Sequence, residues 1–434
     1  MNIRLYNARI LTMEKNRPVF QGEIWVRNEK IAYVGQEQDS EGEEIRKALP
    51  ESFWDLQIDC KRNLLMPGFK NAHTHSGMTF LRSMADDLPL ERWLNERVFP
   101  LEAKLTGDDI YHLSRLAILE YLTSGVTSIF DMYLDTDAAS RACLDMGMRC
   151  VLASGIHNFS SSVEKLEEDY VKRNKKGSLI SCQLAFHAEY TCSRELLEQV
   201  AVIAHKYKAP VYTHLAETAG EVESCRQKYG ATPAVFLDNL GMFDYGGGGY
   251  HCVHMSDEDI EIFRKNKMYV ITNPGSNTKL ASGIAPIAEY VRKKIPVAIG
   301  TDGPASNNCL DMFREMFLVT GLSKLKEKDA AGMDALTVLQ MATVNGAKAM
   351  GLTSCDVLAK GKKADIIMID LHQPNMQPIQ DIPRNLVYSG SKSNVCMTMI
   401  NGKILYRSGE FNVGDNPENI YAKCDQVVKR LLLQ

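Results

Sequence analysis

The chain has 434 residues, of which 45% are hydrophobic and 24% are charged, and its formal net charge is −4 at pH 7. This composition excludes a disordered or fibrous chain, and the length predicts about two to three domains, or one large barrel with an addition. No long block of Lys or Arg occurs, which argues against a nucleic-acid partner or an anionic membrane surface.

The 11 cysteines are scattered without a CxxC pair, and a chain of this size does not need disulfides to fold. We therefore expect reduced thiols in an intracellular protein. The first twenty residues contain no apolar segment long enough for a signal peptide, and no run of about 18 apolar residues occurs anywhere. The sequence predicts a cytoplasmic protein with no membrane contact.

The two ends of the chain share a β-strand pattern. Near the N-terminus, "IRLYNARILTM" and "GEIWVRNEKIAYVG" are rich in β-branched and aromatic residues, and "KADIIMIDL" and "VCMTMINGKILYRSGE" repeat this texture near the C-terminus. The polar segment 36–52 between the N-terminal strands and the next strand predicts a loop. We expect residues 1–66 plus 356–434 to form one small β-sandwich domain.

The middle of the chain, residues 67–355, alternates short apolar runs with amphipathic segments of helical period, some of which open with a Ser or Asp N-cap. Successive strand–helix units predict a (β/α)8 TIM barrel, in the α/β class. The predicted barrel strands lie within residues 63–75, 125–133, 149–155, 181–190, 209–217, 248–255, 268–277 and 296–303.

Active-site residues of such a barrel lie at the carboxyl ends of the strands and in the loops that follow. His73 and His75 end the first predicted strand as an HxH pair. Side chains at i and i+2 of a strand share one face, so the two imidazoles converge on one point. Alone, such a pair is more often two ordinary polar residues at a strand end than a metal site.

Two further residues complete a candidate metal site. His214 ends the fifth predicted strand and Asp302, in "GTDG", ends the eighth. Three imidazoles and one carboxylate suit Zn²⁺, and Fe²⁺ or Mn²⁺ accept the same ligand types. Because these residues occur in barrel order at the same end of successive strands, the joint pattern predicts a catalytic metal.

Acid–base groups accompany the candidate ligands. Glu217 lies three residues after His214 and is expected to protonate a ring nitrogen of the substrate and then the leaving group. Asp302 is expected to take a proton from the attacking water. His251, on the sixth strand, would polarise or orient that water.

Five segments carry a family resemblance: "PGFKNAHTHSGM", "THLAET", "HCVHMSDEDI", "NPGSNTKLASGIAP" and "GTDGPASNN". Together they resemble the amidohydrolase superfamily, and within it the methylthioadenosine/S-adenosylhomocysteine deaminases with their chlorotriazine hydrolase relatives. The resemblance spans nearly the whole chain. It implies a metal-dependent hydrolytic deaminase that releases ammonia from an amino-purine nucleoside.

The resemblance also implies roles for individual residues. It implies that one zinc ion per subunit binds to the four candidate ligands, because the fourth strand run lacks the lysine that bridges two metals in other members. It implies that Trp93 and Glu102, in the loop after the first strand, contact the nucleoside, with Glu102 on the ribose hydroxyls and Trp93 as an apolar wall. His187 would face the base. Members of the superfamily are often homo-oligomers.

Two departures from the family pattern occur. Members that accept S-adenosylhomocysteine bind its carboxylate with arginines on and after the third strand, but Ser154 stands at the first position and no arginine follows in the loop. Methylthioadenosine, 5′-deoxyadenosine or adenosine is therefore the favoured substrate. The glycine run 246–249 is the second departure, and we interpret it as a flexible loop.

Two alternatives remain open at this stage. The same site could serve an aminohydrolase or a chlorohydrolase that acts on another N-heterocycle, such as a pterin, guanine or a triazine. A non-catalytic metal-binding scaffold is disfavoured, because the ligand set is complete and is accompanied by Glu217 and His251.

Overall fold

The computed structural model describes residues 1–36, 39–84, 86–160, 162–175 and 177–433. Its strands are β1 Asn2–Ile10, β2 Phe20–Arg27, β3 Lys30–Gln36, β4 Leu56–Asp59, β5 Leu64–Pro67, β6 Phe69–Thr74, β7 Val126–Tyr133, β8 Arg149–Ser154, β9 Ile180–Ala185, β10 Val211–Leu215, β11 Gly247–His251, β12 Tyr269–Thr272, β13 Val297–Ile299, β14 Ile366–Ile369, β15 Val395–Ile400, β16 Lys403–Arg407 and β17 Glu410–Phe411.

The α-helices are α1 Ser40–Ala48, α2 Leu90–Trp93, α3 Phe99–Glu102, α4 Gly107–Thr123, α5 Thr136–Met146, α6 Val163–Arg173, α7 Arg194–Tyr207, α8 Ala219–Tyr229, α9 Pro233–Asn239, α10 Asp257–Lys265, α11 Pro274–Lys279, α12 Ile287–Arg292, α13 Met312–Glu327, α14 Ala335–Gln340, α15 Gly346–Ala349, α16 Ile382–Tyr388 and α17 Pro417–Leu433. Short 3₁₀ helices span Glu51–Phe53, Ser76–Leu81, Glu189–Thr191, Pro374–Met376 and Lys392–Asn394, and π-helical turns span Leu94–Val98 and Met341–Asn345.

The strands β6 to β13 form the barrel. Within the described residues they make one sheet of eight strands, in which each strand lies beside the next along the chain and the pairs are parallel. Helices cover the outside of the barrel, so strands such as β7 and β8 are buried along their whole length. The predicted (β/α)8 fold class is confirmed.

The barrel closes where the end of β13 meets β6. The backbone N–H of Asp302 donates to the His73 carbonyl at 3.0 Å, and the N–H of Thr301 donates to Asn71 Oδ1 at 2.9 Å. A side chain at Gly300 would place its Cβ 2.8 Å from both the Cβ and the N of His73. Closure therefore requires glycine at this position.

The first predicted barrel strand is in fact two strands. Residues 63–75 were expected to form one run, but β5 pairs with β1 and β14 in another sheet, whereas β6 pairs with β7. The chain passes between the sheets at Gly68, where a Cβ would lie 2.0 Å from Thr127 Cγ2. A continuous apolar run cannot reveal this change of sheet, because both segments are buried.

Strands from both ends of the chain share the second sheet. Its order is β17-β16-β15-β14-β5-β1-β2-β3, with β4 paired to β1, and its apolar side packs as a separate cluster that includes Ile3, Ile24 and Met397. The expected small β domain from both termini is thus present. We retain residues 1–66 plus 356–434 as its proposed bounds.

A short helix, α1, occupies part of the segment for which the sequence predicted a loop. Arg46 of this helix and Arg4 of β1 both contact the carboxylate of Glu23, which is fully buried on β2. These ion pairs hold α1 on the sheet. The polar sequence of the segment could not predict this helix, because the residue that holds it, Glu23, lies on the distant strand β2.

No helix in the described part of the chain is long and apolar enough to cross a membrane.

A buried ion pair joins the barrel to the terminal sheet. Arg149 at the start of β8 donates to Asp365 through Nε at 2.7 Å and through Nη2 at 2.9 Å, and both side chains are buried. Burial alone would raise the pKa of Asp365, but the Arg149 guanidinium outweighs it and holds that pKa below its usual range. The pair's contribution to stability is therefore present at neutral pH and is lost as the pH falls through the lowered pKa.

Removal of this carboxylate should destabilise the fold. We expect Asp365→Ala to lower the free energy of unfolding by about 3–5 kcal/mol, because it leaves the Arg149 charge buried without a partner. Thermal melting measures the change. Glu198→Ala, which removes an exposed ion pair with Arg194, is the control and should shift the melting temperature far less. A melting temperature of Asp365→Ala equal to that of the wild type would contradict the role of the pair.

Candidate active site

The predicted reactive residues lie together at the carboxyl end of the barrel. His73 and His214 lie within β6 and β10, and His251 is the last residue of β11. The others follow the ends of β6, β10 and β13 by one to three residues. Each of the six residues is at most 9% exposed: His73, His75, His214, Glu217, His251 and Asp302.

Three of these side chains meet at one carboxylate oxygen. The Nε2 atoms of His73 and His75 lie 3.3 and 3.1 Å from Asp302 Oδ1. Both ring nitrogens of His73 and the Asp302 Oδ1 atom are buried without a hydrogen-bond partner in the described residues. Buried polar atoms are rarely left without a partner. A divalent cation bound among them would supply one to the imidazole nitrogens and to the carboxylate oxygen.

The closest set of ligand atoms differs by one residue from the set predicted from the sequence. His73, His214, His251 and Asp302 each offer a ligand atom, and these atoms lie within 4.8 Å of one another. The sequence assigned His75 rather than His251 to the metal. Since His75 Nε2 is as close to Asp302 as His73 Nε2 is, the donor set still fits a cation held by imidazoles and one carboxylate.

Backbone carbonyls orient two of the candidate ligands. His75 Nδ1 lies 2.6 Å from the Met132 carbonyl, and His214 Nδ1 lies 2.7 Å from the His187 carbonyl. A carbonyl only accepts, so each Nδ1 carries the proton and each Nε2 is left as a lone-pair donor to metal. Burial lowers the pKa of His73 to about 3 and that of His214 well below its ordinary value, which keeps both rings neutral.

Glu217 is a buried acid beside His251. Its Oε2 lies 3.8 Å from His251 Nε2, and its Oε1 accepts a hydrogen bond from Ser282 Oγ at 3.1 Å. Burial raises the pKa of Glu217, and the nearby Asp302 charge acts in the same direction. Both effects favour the protonated form that a proton donor requires.

The loop that carries Glu217 is clamped by a second buried carboxylate. Glu221, in the first turn of α8, accepts the backbone N–H of Ala216 at 2.7 Å and that of Glu217 at 2.8 Å. Ala216 has a φ of +50°, a left-handed conformation that costs energy for a residue with a side chain. Glu221 thus stabilises the strained turn that aims Glu217 into the site.

The same strain recurs at the ends of two other barrel strands, β11 and β13. His251 has a φ of +69° and Asp302 a φ of +58°. The barrel-closing hydrogen bond from Asp302 to His73 and the bond from Val253 N–H to the Ala216 carbonyl, 3.0 Å, hold these turns. Strain of this kind persists only where the surroundings enforce it, and it clusters at functional sites.

Sequence reasoning missed the residues that hold His251 and Asp302 in place. His251 Nδ1 lies 2.7 Å from Asn277 Oδ1, and Ser306 Oγ donates to Asp302 Oδ2 at 2.7 Å. Behind them, the buried Glu315 accepts from Gly275 N–H and from Asn307 Nδ2, both at 2.8 Å. The segments "NPGSNTKL" and "GTDGPASNN" contained a signal, namely clustered amide and hydroxyl side chains directly after a strand.

The glycine run 246–249 is not a loop, contrary to our interpretation. Its last three residues open the buried strand β11. A Cβ at Gly247 would lie 1.9 Å from the Val211 carbonyl oxygen, and one at Gly249 would lie 2.6 Å from Cys252 Sγ. The glycines are needed because β11 packs too closely on its neighbours for side chains.

A cavity opens above the reactive residues. The helical segment 90–102 forms one wall and contributes Trp93 and Glu102, which are 4% and 8% exposed. Burial raises the pKa of Glu102 to about 7 and lowers that of His187 to about 3. All three residues expected to contact substrate therefore line this cavity, as do Met78, Leu90, Leu94, Val98, Phe99, Met132, Tyr133, Leu134, Gly155, His157, Tyr190 and Leu280.

Comparison with known proteins adds to this geometry. The profile of the Amidohydrolase family matches residues 64–405. A Thermoanaerobacter pseudethanolicus protein named 5-methylthioadenosine/S-adenosylhomocysteine deaminase is 38% identical over 433 residues, which cover 97% of each chain. A Moorella thermoacetica protein of the same name is 40% identical over 418 residues and 95% of each chain.

Two solved structures share the fold. A zinc-bound adenosine deaminase from Xanthomonas campestris superposes with a TM-score of 0.92 at 30% identity, covering 100% of this chain and 98% of that one. A zinc-bound atrazine chlorohydrolase from Arthrobacter aurescens superposes with a TM-score of 0.87 at 21% identity, covering 98% and 100%.

The metal site can be tested by analysis of the purified protein. We expect about one equivalent of a divalent metal per chain. We expect His73→Ala to lose this metal, because the variant removes one of only four proposed ligands. Mass spectrometry of the elements measures the content. His205→Ala, at an exposed histidine on α7, is the control and should keep the metal. Full metal occupancy in His73→Ala would refute the site.

Proposed function

The chain belongs to the amidohydrolase family, and from this premise we propose that it is a metal-dependent deaminase of an amino-purine nucleoside. It would hydrolyse a carbon–nitrogen bond of a cyclic amidine and release ammonia. The resemblance read from the sequence motifs is confirmed by the family match. The proposed substrates are 5′-methylthioadenosine, 5′-deoxyadenosine and adenosine.

One observation carries the proposal. A buried acid, Glu217, and a buried imidazole, His251, face the same cavity as a set of metal ligands. Relatives of near full length are named as deaminases of adenine nucleosides, and the adenosine deaminase structure at 30% identity covers the whole chain. Hydrolysis of an exocyclic amine needs these groups in one place: an activated water, a base and an acid.

We propose His73, His75, His214 and Asp302 as the ligands of one zinc ion per subunit, with iron or manganese as the alternatives. The family is metal-dependent, and the adenosine deaminase structure was solved with zinc bound. When bound, a divalent ion supplies a water of lowered pKa at neutral pH.

The chain's own residues move the protons. Asn277 holds the proton of His251 on Nδ1, so His251 Nε2 is free to accept a hydrogen bond and orient the attacking water. Asp302 Oδ2 accepts a proton as the water oxygen bonds to the ring carbon. Glu217 donates its proton to the adjacent ring nitrogen. Glu217 then takes the proton of the new hydroxyl group and delivers it to the amine, which leaves as ammonia when the carbon–nitrogen bond breaks. The proton held by Asp302 restores Glu217 for the next cycle.

The cavity wall would hold the nucleoside. Glu102 accepts hydrogen bonds from the ribose hydroxyls, Trp93 supplies an apolar wall and His187 faces the base. Among the described residues that line the cavity there is no lysine or arginine. A substrate carboxylate would therefore lack a cationic partner, which disfavours S-adenosylhomocysteine.

A substrate panel tests the function directly. We expect ammonia release from amino-purine nucleosides at a kcat/KM far above that for guanine, pterins and triazines, because only the nucleosides engage Glu102. Coupled assay of ammonia measures each rate. Glu102→Gln should lower the rates with nucleosides more than those with free bases. A preference for a free base or a triazine would contradict the proposal and support the other ring classes.

The proton-donor role of Glu217 is tested by Glu217→Gln. We expect the variant to keep its metal but to lose about 10²–10⁴-fold in kcat, because the amide cannot deliver the proton. Steady-state kinetics and metal analysis together measure this. Glu223→Gln, at an exposed glutamate on the helix α8 that follows Glu217 in the chain, is the matched control. An unimpaired Glu217→Gln enzyme would refute the role.

A further inference from the structure

A histidine that the sequence did not single out lies in the wall of the cavity. His157 follows β8, is half-buried, and lines the cavity beside the three expected substrate contacts. Its ring centroid lies 6.1 Å from that of His187 and 6.4 Å from that of Phe99. His157 therefore bridges the loop after β8 to the helical wall 90–102.

The proton of this imidazole has a defined position. The backbone N–H of Phe159 donates to His157 Nδ1 at 3.2 Å, so Nδ1 must carry a lone pair. A neutral ring then carries its proton on Nε2, and within the described residues Nε2 has no hydrogen-bond partner. Burial lowers the pKa of His157, which keeps the ring neutral at pH 7. The cavity thus gains one uncharged N–H donor.

The loop that holds His157 is tied to the neighbouring strand end. Asn158 N–H donates to the Thr191 carbonyl at 3.2 Å, and His187 N–H donates to the Ile156 carbonyl at 3.0 Å. Ser160 Oγ accepts the His157 N–H at 2.9 Å. These bonds hold the backbone of His157 against the segment after β9, and the bond from Phe159 N–H to Nδ1 orients the ring, so the donor is placed before a substrate enters.

His157 lies on the side of the cavity where the ribose of a bound nucleoside is proposed to bind. The reacting end of the cavity is set by Glu217, His251 and Asp302. Phe99, which His157 approaches, lies three residues before Glu102, so both face the same side of the helical wall. His157 therefore meets the helical wall one turn before Glu102, the residue proposed to bind the ribose hydroxyls.

We propose that His157 is a specificity-determining residue that donates its Nε2–H to the 5′ oxygen of the nucleoside. This assignment rests on the proposed function. A neutral N–H donor pairs with a hydroxyl oxygen, pairs only weakly with a thioether sulfur, and finds no partner on a 5′-methyl group. Among the three proposed substrates, His157 therefore favours adenosine over 5′-methylthioadenosine and 5′-deoxyadenosine.

The test combines a change in the enzyme with a change in the substrate. The rates of adenosine and 5′-deoxyadenosine deamination are measured with the wild type, His157→Phe and His157→Gln. We expect His157→Phe to lower kcat/KM for adenosine about 10-fold, mainly through KM, and to leave that for 5′-deoxyadenosine within about twofold. His157→Gln, which keeps an amide N–H at similar reach, should restore part of the loss with adenosine.

Asn158→Ala is the matched control for disturbance of the loop. It removes the hydrogen bond that Ser193 N–H donates to Asn158 Oδ1, and Asn158 does not line the cavity. The ratio of kcat/KM for the two substrates should therefore stay unchanged. Equal losses with both substrates in His157→Phe, or no loss with either, would overturn the assignment while the deaminase function stands. A wild-type enzyme that deaminates neither nucleoside would overturn both.

Discussion

The site depends on the way in which the barrel closes. The hydrogen bond from Asp302 N–H to the His73 carbonyl joins the last strand end to the first, and the bare backbone of Gly300 allows that approach. Because of this contact, the Asp302 carboxylate lies beside the imidazoles of His73 and His75. A looser closure would separate Asp302 from these two histidines, which lie far from it in the sequence.

A buried polar network then fixes each reactive side chain. Glu221 stabilises the turn of Glu217, and Asn277 and Ser306 hold His251 and Asp302, while Glu315 links the loops behind them. Each of these groups is costly to bury alone, but hydrogen bonding offsets that cost and makes the arrangement rigid. Such rigidity keeps the atoms of the proposed acid, base and metal ligands in one geometry without help from the substrate.

The sequence allowed prediction of the features that follow a local rule. Strand alternation predicts that His73 and His75 share a face, and barrel topology predicts that His214 and Asp302 join them. Features that depend on distant contacts could not be predicted. Helix α1 is held on the sheet by Glu23, which lies far from it in the sequence on β2. At Gly68 the chain passes from one sheet to the other within a single apolar run. The tautomer of His157 depends on the conformation of its own loop.

The central claim is that closure of the barrel assembles one metal-centred site for hydrolysis. Anomalous diffraction from crystals of the purified protein, recorded across the zinc, iron and manganese absorption edges, tests it most directly. The account predicts a single strong peak per chain, enclosed by His73, His75, His214 and Asp302. The absence of a peak there, or a peak held by other residues, would contradict it.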